Sequence, residues 1–325
     1  MYTIPYTIMS FEMFREFNPY FFQYKLPFDP DIPVKVAELP KCSARCFCTL
    51  DFQRFLADCP DASQLQKTLL IYGADTGIPD FPLAIDLSNR QLVHLEPHSF
   101  ANLTDASCLL LNHNKLRDLE LGTFSGLENM LILDLNNNQL ESLQSGLFRN
   151  MCQLVMLSMY NNSLESLSSN VFRNLFQLKT LDMSSNRLES LPSNVFRNLS
   201  QLETLDMNSN RLELLPSNVF SNLFQLYELD LSSNRLESLP LNVFSSLSQL
   251  TSLYLNANRL ESLPSNVFRN LFQLEILSLY GNRLESLPSD ISLILQNPVP
   301  IAFFPFFGPQ KLCRAFRASN MLFFW

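Results

Sequence analysis

Four cysteines lie close together near the beginning of the chain, in the stretch CSARCFCTLDFQRFLADC at 42–59. They are Cys42, Cys46, Cys48 and Cys59, so their spacing is C-x3-C-x-C-x10-C. Four such cysteines can form two disulfides or hold a zinc ion through their thiolates. The two chemistries belong to different compartments, because disulfides persist only in oxidising surroundings. The sequence on either side of the cluster is therefore needed to decide between disulfides and zinc, and with it the compartment of the protein.

No other group of residues has the spacing of a catalytic site. His94 and His98 are close enough in sequence to share a metal ion, but a surface loop is the favoured interpretation, and His113 stands apart. No serine lies in a G-x-S-x-G turn, and no glycine-rich phosphate loop occurs. We therefore expect no enzyme activity, no cofactor and no metal site.

Most of the chain is a repeat of 24 residues. The sequence SSNRLESLPSNVFRNL at 184–199 is nearly repeated at 256–271 as NANRLESLPSNVFRNL. The two segments are 72 residues, or three periods, apart. Leucines or similar residues flank each asparagine of the series at constant distances. A phenylalanine follows each asparagine by ten residues, except after Asn282, where Ser292 stands. The asparagines are Asn114, Asn138, Asn162, Asn186, Asn210, Asn234, Asn258 and Asn282, and Arg90 holds the same place at the front.

The resulting pattern, L-x-x-L-x-L-x-x-N-x-L-x-x-L, resembles the leucine-rich repeat over residues 81–295. This resemblance implies an α/β fold: a horseshoe-shaped solenoid with a parallel β-sheet on its concave face and loops or short helical turns on its convex face. The residue pattern agrees, because L-x-L suits a short strand with one buried face. One coil cannot bury its apolar side alone, so neighbours must stack. The phenylalanines should then form a spine, and the asparagines should satisfy buried backbone groups from coil to coil.

The cysteine cluster in front of this array is similar to the N-terminal cap of extracellular leucine-rich repeat proteins. In that family the first cysteine pairs with the third and the second with the fourth, which implies Cys42–Cys48 and Cys46–Cys59. This reading favours disulfides over zinc and an extracellular or cell-surface location. Cys108 and Cys152, inside the repeats, should stay unpaired because one faces the concave side and the other the rear.

We accordingly divide the chain into four parts. Residues 1–40 are an irregular or disordered N-terminal segment, 41–80 the cysteine-rich cap, 81–295 an array of about nine repeats, and 296–325 an irregular C-terminal tail. The first residues, MYTIPYTIMSFEMFREF, lack the basic start and apolar core of a signal peptide. No uncharged apolar run is long enough for a transmembrane helix.

Charge and sequons add two expectations. The net charge of −8 argues against a general nucleic-acid binder, which needs a basic stripe to neutralise phosphates. The sequons NLT, NNS and NLS make Asn102, Asn161 and Asn198 candidates for glycosylation. Asn102 and Asn198 are the better candidates, because they share one column of the repeat on its outer side.

The expected concave surface holds an acidic, amide-rich strip with tyrosines toward each half. Its residues come from the positions four and two before each asparagine. The candidate partner-binding residues are Asp134, Tyr160, Asp182, Asp206, Asp230, Tyr254 and Tyr280. A basic ligand would explain the acidic column, but an inherited family pattern, in which Asp is common at this position, is the favoured interpretation. Rows of arginine and glutamate that follow the asparagines, such as Arg187 and Glu189, read as a solvated edge of paired charges.

A different column alternates between phenylalanine and serine, fourteen residues after each asparagine. Phe176, Phe224 and Phe272 stand at every second repeat, with Ser200 and Ser248 between them. If the rings point outward, they mark a contact surface or a site of self-association. If they turn inward, they pack against the next coil.

Taken together, these features predict a non-catalytic extracellular protein that presents a concave repeat surface to a protein or glycan partner. Adhesion, guidance and receptor-type recognition are the functions that the resemblance implies. The alternative is the ectodomain fragment of an innate immune pattern-recognition receptor, and an intracellular scaffold is third. The oxidation state of the four cap cysteines separates the third from the other two.

Overall fold

The computed structural model describes residues 47–51, 54–58, 83–101, 103–104 and 106–288 of the 325-residue chain. These residues build one sheet of eleven strands in which neighbours in sequence are neighbours in space. The strands are β1 (Phe47–Asp51), β2 (Arg54–Asp58), β3 (Leu83–Asp86), β4 (Ala106–Leu110), β5 (Ile132–Asp134), β6 (Met156–Ser158), β7 (Thr180–Asp182), β8 (Thr204–Asp206), β9 (Glu228–Asp230), β10 (Ser252–Tyr254) and β11 (Ile276–Ser278).

The sheet begins with a hairpin and continues as a parallel stack. β1 and β2 pair antiparallel, with Phe47 opposite Asp58, and every later pairing is parallel. From β4 onward each residue lies beside the one 24 positions later, as Leu181 lies beside Leu205. The single irregularity among these pairings falls between Leu83 and Ala84 in β3. The predicted parallel sheet is therefore confirmed, and one coil supplies one strand.

The repeated leucines form one continuous core behind the sheet. Leu181, Leu188 and Leu202 of a single coil are fully buried, and their equivalents in other coils are equally inaccessible. Phenylalanines stack as a spine on the far side of this core, with ring centroids 6.0–6.5 Å apart and planes inclined by 5–21°. The spine consists of Phe100, Phe124, Phe148, Phe172, Phe196, Phe220, Phe244 and Phe268.

The coils are wedge-shaped. Neighbouring strands of a sheet lie about 4.8 Å apart, whereas the spine rings are spaced by 6.0–6.5 Å. Stacked wedges bend toward their narrow side, so the array curves with the sheet inside. We call the exposed side of this sheet the inner face and the spine side the outer side.

No helix occurs in the part of the chain that the structure describes, so the short helical turns expected as one alternative on the outer side are not confirmed. The segments there close as successive turns in which an N–H donates to the carbonyl three residues earlier, as Leu199 N does to Phe196 O at 3.0 Å and Leu202 N to Leu199 O at 3.0 Å. Phe196, Leu199 and Leu202 are buried and three residues apart. In an α-helix, with 3.6 residues per turn, residues three apart do not lie on one line along the helix, so their side chains would not all face the core.

The asparagines of the repeat connect each coil to the one before it. The amide of Asn210 donates to the carbonyls of Met183 (3.0 Å) and Met207 (3.1 Å), and its Oδ1 accepts from Leu188 N at 3.0 Å. The same bonds recur from Asn114 to Asn282. At the front, Arg90 N and Leu92 N share the Oδ1 of Asn114.

Candidate binding surfaces of the repeat array

The acidic column of the inner face serves the fold. Asp182 Oδ1 accepts hydrogen bonds from Ser184 N at 2.8 Å and Ser184 Oγ at 2.6 Å. Asp206 accepts from Asn208 N at 2.8 Å and from its side-chain amide at 2.7 Å. Asp134 and Asp230 accept the equivalent backbone bond, at 2.9 and 2.8 Å. Each carboxylate thus caps the turn that follows its strand.

Burial divides this column into a closed centre and two more open halves. Asp206 and Ser184 are fully buried and Asp182 is 3% exposed, whereas Asp134 and Asp230 are half-buried. The expected continuous acidic strip is therefore interrupted in its middle. Short side chains on a curved sheet cover one another there, and Asn208 lays its amide against both oxygens of Asp206.

The tyrosines lie in the accessible halves of the inner face. Tyr160 is half-buried on one side, where its backbone N donates to Asn136 Oδ1 at 2.7 Å. On the other side, Tyr254 lies beside Asp230 in the sheet, and Tyr280 is 46% exposed. We call Asp134, Asn136 and Tyr160 the first patch and Asp230, Tyr254 and Tyr280 the second patch.

The edge of the sheet where the strands begin carries a separate polar cluster. Lys179 Nζ contacts Glu203 Oε1 at 2.7 Å, and Thr204 Oγ1 donates to the hydroxyl of Tyr227 at 2.9 Å. Burial raises the pKa of Tyr227 above its ordinary value. The hydrogen bond from Thr204 lowers this pKa, while the carboxylates of Glu228 and Glu203 raise it further.

A polar groove of about 520 Å³ follows the opposite edge, where the strands end. We call it the edge groove. The ladder asparagines from Asn114 to Asn186 form its floor, and hydroxyls, amides and two guanidinium groups form its walls. Six of the wall residues are Gln139, Asn161, Ser163, Ser185, Arg187 and Arg211. Reading the sequence column by column did not reveal this groove, because it exists only between stacked coils.

The arginine and glutamate rows beside the groove are less paired than expected. Within the described residues the one ion pair between these rows is Arg283–Glu261, with Nη1 and Oε1 3.9 Å apart. Arg187 and Arg211 make no side-chain hydrogen bond or ion pair with any described residue. Both guanidinium groups are thus free to meet a ligand.

The outer side carries a second row of asparagines and the three alternating rings. Asn174 donates to Arg149 O at 2.6 Å, Asn222 to Arg197 O at 2.7 Å and Asn198 to Arg173 O. This row also ties coil to coil, a role that the sequence did not suggest for Asn198. Phe176, Phe224 and Phe272 point outward, with 48%, 52% and 70% of their surface exposed.

Several predicted residues fall wholly or partly outside the described part of the chain. Cys42, Cys46, Cys59 and the sequon Asn102 lie outside it, and Cys48 stands in β1. Asn161 is exposed and donates to Asn137 Oδ1 at 2.7 Å, whereas Asn198 is half-buried. Cys108 is buried and Cys152 half-buried, and neither forms a disulfide.

The described residues contain no group of three or more histidine, cysteine, aspartate or glutamate side chains placed to hold a metal ion. His94 contacts carboxylates instead, with its Nε2 at 3.6 Å from Glu96 and 4.0 Å from Glu120. Across the same described ranges, no helix has the length and apolar character needed to cross a bilayer.

Family models for leucine-rich repeats match the chain in two blocks. A model described as BspA type leucine rich repeat region matches residues 165–290 in six copies. A second, described as leucine rich repeat, matches residues 84–140 and 128–188. The chain therefore consists of leucine-rich repeats from residue 84 to residue 290. Comparison with curated protein sequences gives no match.

Solved structures with a similar fold include a leucine-rich repeat protein of Leptospira interrogans, with a TM-score of 0.60 and 27% identity. That match covers 76% of this chain and 60% of the Leptospira protein. Drosophila Toll in its complex with Spatzle gives 0.53 and 25% identity, over 67% of this chain and 32% of that one. TLR13 in complex with ssRNA13 gives 0.54 and 25% identity, over 72% and 38%. The chain thus spans less than two thirds of each of these proteins.

Proposed function

We propose that this protein is a non-catalytic binding protein, secreted or held at a cell surface, whose inner face contacts a protein or glycan partner. The proposal depends on one observation: the buried strand positions are nearly constant from coil to coil, whereas the inner-face positions vary. One buried position of the strand is leucine in every coil from β4 to β11, while the position after it changes, as at Asp134, Ser158 and Tyr254. A repeat frame tolerates such variation without loss of the fold.

The first and second patches are the proposed contact sites. Tyrosine supplies a large rigid ring with a polar tip and is common at the energetic centres of interfaces. The second patch combines the most exposed of these tyrosines, Tyr280, with Tyr254 and the half-buried Asp230. The buried residues around Asp206 lie between the two patches, and we expect no contact between them and the partner.

A location outside the cytosol rests on the cysteine cluster and the sequons. The cluster is similar to the cap of extracellular repeat proteins, and the chain carries the three sequons NLT, NNS and NLS. We therefore propose disulfides Cys42–Cys48 and Cys46–Cys59 and glycosylation at one or more of Asn102, Asn161 and Asn198. In an intracellular scaffold the four cysteines would stay reduced.

A receptor ectodomain is the second candidate function. The likeness to Toll and TLR13, at 25% identity, supports this candidate. Their bound ligands, Spatzle and a single-stranded RNA, are properties of those proteins. Sequencing a full transcript past Trp325 decides the matter, since a receptor requires a membrane anchor and a secreted protein a stop codon.

The inner-face proposal is tested by a binding screen with matched variants. The purified chain is presented to a panel of cell-surface ectodomains and glycans, and each hit is measured again with Tyr254→Ala and Tyr280→Ala combined. A control variant, Gln201→Ala with Gln225→Ala, changes two exposed residues on the outer side. We expect the tyrosine variant to lose affinity by tenfold or more, corresponding to about 1.4 kcal/mol. Equal affinity of both variants would place the site elsewhere.

A further inference from the structure

The edge groove is lined by positively charged side chains and hydrogen-bond donors, and no carboxylate side chain lines it. None of its lining residues is acidic, although the chain as a whole has a net charge of −8. Arg187 and Arg211 stand one coil apart on its wall, and no described residue pairs with their side chains. The groove is thus an acid-free, cationic strip on an acidic protein.

Its other wall residues also have unused hydrogen-bonding groups. The hydroxyls of Ser163, Ser185 and Ser209 make no hydrogen bond to the described part of the chain. Gln139 accepts a bond from Arg117 at 3.3 Å and keeps its own NH₂ group for a ligand. The floor asparagines, in contrast, are committed to backbone groups. The floor therefore gives rigidity, and the walls supply the contacts.

We propose that the edge groove binds a carboxylated saccharide chain. The planar guanidinium fork of arginine matches a carboxylate through two parallel hydrogen bonds, so Arg187 and Arg211 each take one acidic group. Serine hydroxyls and the Gln139 amide both donate and accept, which suits the ring hydroxyls of a sugar. An elongated groove across several coils suits a chain ligand better than a single compact anion.

The composition of the groove favours a saccharide over a nucleic acid. Single-stranded nucleic acids bind by stacking their bases on aromatic side chains, and no aromatic residue lines the groove. Two cationic side chains also neutralise too few phosphates to hold a polynucleotide at physiological salt. A carboxylated sugar needs neither feature.

The site is separate from the inner face, so the two proposals can fail independently. The groove lies where the strands end, and none of its lining residues belongs to the first or second patch. A variant of Tyr254 and Tyr280 should leave saccharide binding unchanged. Variants of the groove should leave binding at the inner face unchanged.

The test uses the full chain, calorimetry and an oligogalacturonate, compared with the same oligosaccharide after its carboxyl groups are reduced to alcohols. We expect binding of the acidic form alone, weakening with added salt because exposed charges are screened. Arg187→Gln combined with Arg211→Gln should lower affinity by about tenfold or more, since each charge-assisted bond is lost. Arg197→Gln with Arg269→Gln makes the same charge change on the outer side and should have little effect.

A gain of binding completes the test and cannot result from misfolding. Ser163 occupies the column in which Arg187, Arg211, Arg235, Arg259 and Arg283 stand. Ser163→Arg extends the guanidinium row by one coil and should tighten binding of the acidic oligosaccharide. Because this change also removes the sequon at Asn161, parent and variant are compared with Asn161→Gln in both. The proposal would be overturned if the acidic and the carboxyl-reduced oligosaccharides bound with equal affinity, or if nothing bound up to about 10 mM ligand. It would also be overturned if the groove variant and the outer-side arginine variant lost affinity equally. Displacement of the saccharide by a tighter-binding single-stranded RNA would overturn it as well.

Discussion

The side-chain amide of Asn186 donates a hydrogen bond at 3.0 Å to the carbonyl of Met159, a residue of the preceding coil. It donates a second to Met183 O at 3.1 Å, and its Oδ1 accepts from Leu164 N at 3.0 Å. One buried side chain therefore satisfies backbone groups of two coils that would otherwise be unpaired. Stacking and turn formation depend on the same residue.

Replacing this asparagine should be costly. Asn186→Ala leaves three buried backbone groups without partners, so we expect the free energy of unfolding to fall by about 3 kcal/mol or more. Asn198→Ala is the matched control, because it removes a single outer-side hydrogen bond and should cost about 0.5–1.5 kcal/mol. Urea denaturation of the two variants measures the difference. Equal costs would contradict the role of the inner ladder.

The turn-capping carboxylate of Asp206 should matter more for stability than for binding. Asp206→Ala removes the acceptor of a buried backbone N–H, and we expect a loss of about 1–3 kcal/mol. Asp206→Asn keeps a side-chain oxygen at the same place and relieves repulsion from neighbouring carboxylates, so its effect on stability should be small. Thermal melts of both variants test this. An alanine variant as stable as the parent would show that the cap is dispensable.

Removing the negative charges of the inner face should also weaken binding of a basic partner. We expect Asp182, Asp206 and Asp230 changed together to Asn to leave the fold intact. Binding of a basic partner should weaken in this variant through the half-buried Asp230, and more so at low salt. Affinities measured at two salt concentrations provide the check. No change at low salt would remove the acidic column from the contact surface.

The exposed rings on the outer side should act in self-association. A ring at every second coil, with serine between, makes a surface on which a second copy can place its rings opposite the serines. Changing Phe176, Phe224 and Phe272 to Ser should abolish concentration-dependent association in sedimentation experiments. Stability should change by less than about 1 kcal/mol, because surface substitutions cost little. Phe220→Ala, in the buried spine, should instead cost about 3–5 kcal/mol.

Tyr227 should make stability depend on pH in the alkaline range. Its pKa is raised above 10.0 in the folded chain, chiefly by burial. A group with a raised folded pKa stabilises the protein below its unfolded pKa, and this contribution is lost as the pH rises through the folded value. Unfolding measured from pH 9 to about 11 should show this loss, and Tyr227→Phe should reduce it. An unchanged profile in the variant would assign the alkaline loss to other groups.

The cap should hold two disulfides. β1 and β2 form an antiparallel hairpin whose outermost pair is Phe47 and Asp58. Cys48 stands in β1, and the similarity of the cluster to the cap of extracellular leucine-rich repeat proteins implies the pairs Cys42–Cys48 and Cys46–Cys59. Peptide mapping without reduction should find Cys46–Cys59 and Cys42–Cys48. Four free thiols with bound zinc would refute the extracellular assignment.

The sequence alone determined the period of 24 residues, the parallel register, the leucine core and the phenylalanine spine. It could do so because each coil contacts mainly its neighbours, so a pattern within one coil is also the pattern of contacts between coils. Leu181 meets Leu205 simply because both hold the same place in successive repeats. The sequence left open whether the outer side forms loops or short helical turns, and the structure shows turns without a helix over the described residues.

Only the tertiary structure decided which members of a column are accessible. Asp206 and Asp230 share one column and one residue type, yet Asp206 is fully buried and Asp230 half-buried. The amide of Asn208 donates to both oxygens of Asp206, whereas Asp230 has Tyr254 as its neighbour in the next strand. The edge groove likewise arises from five stacked coils, between Asn114 and Arg211. Exposure and concavity depend on the side chains of adjacent coils, and these are the positions that the repeat leaves free to vary.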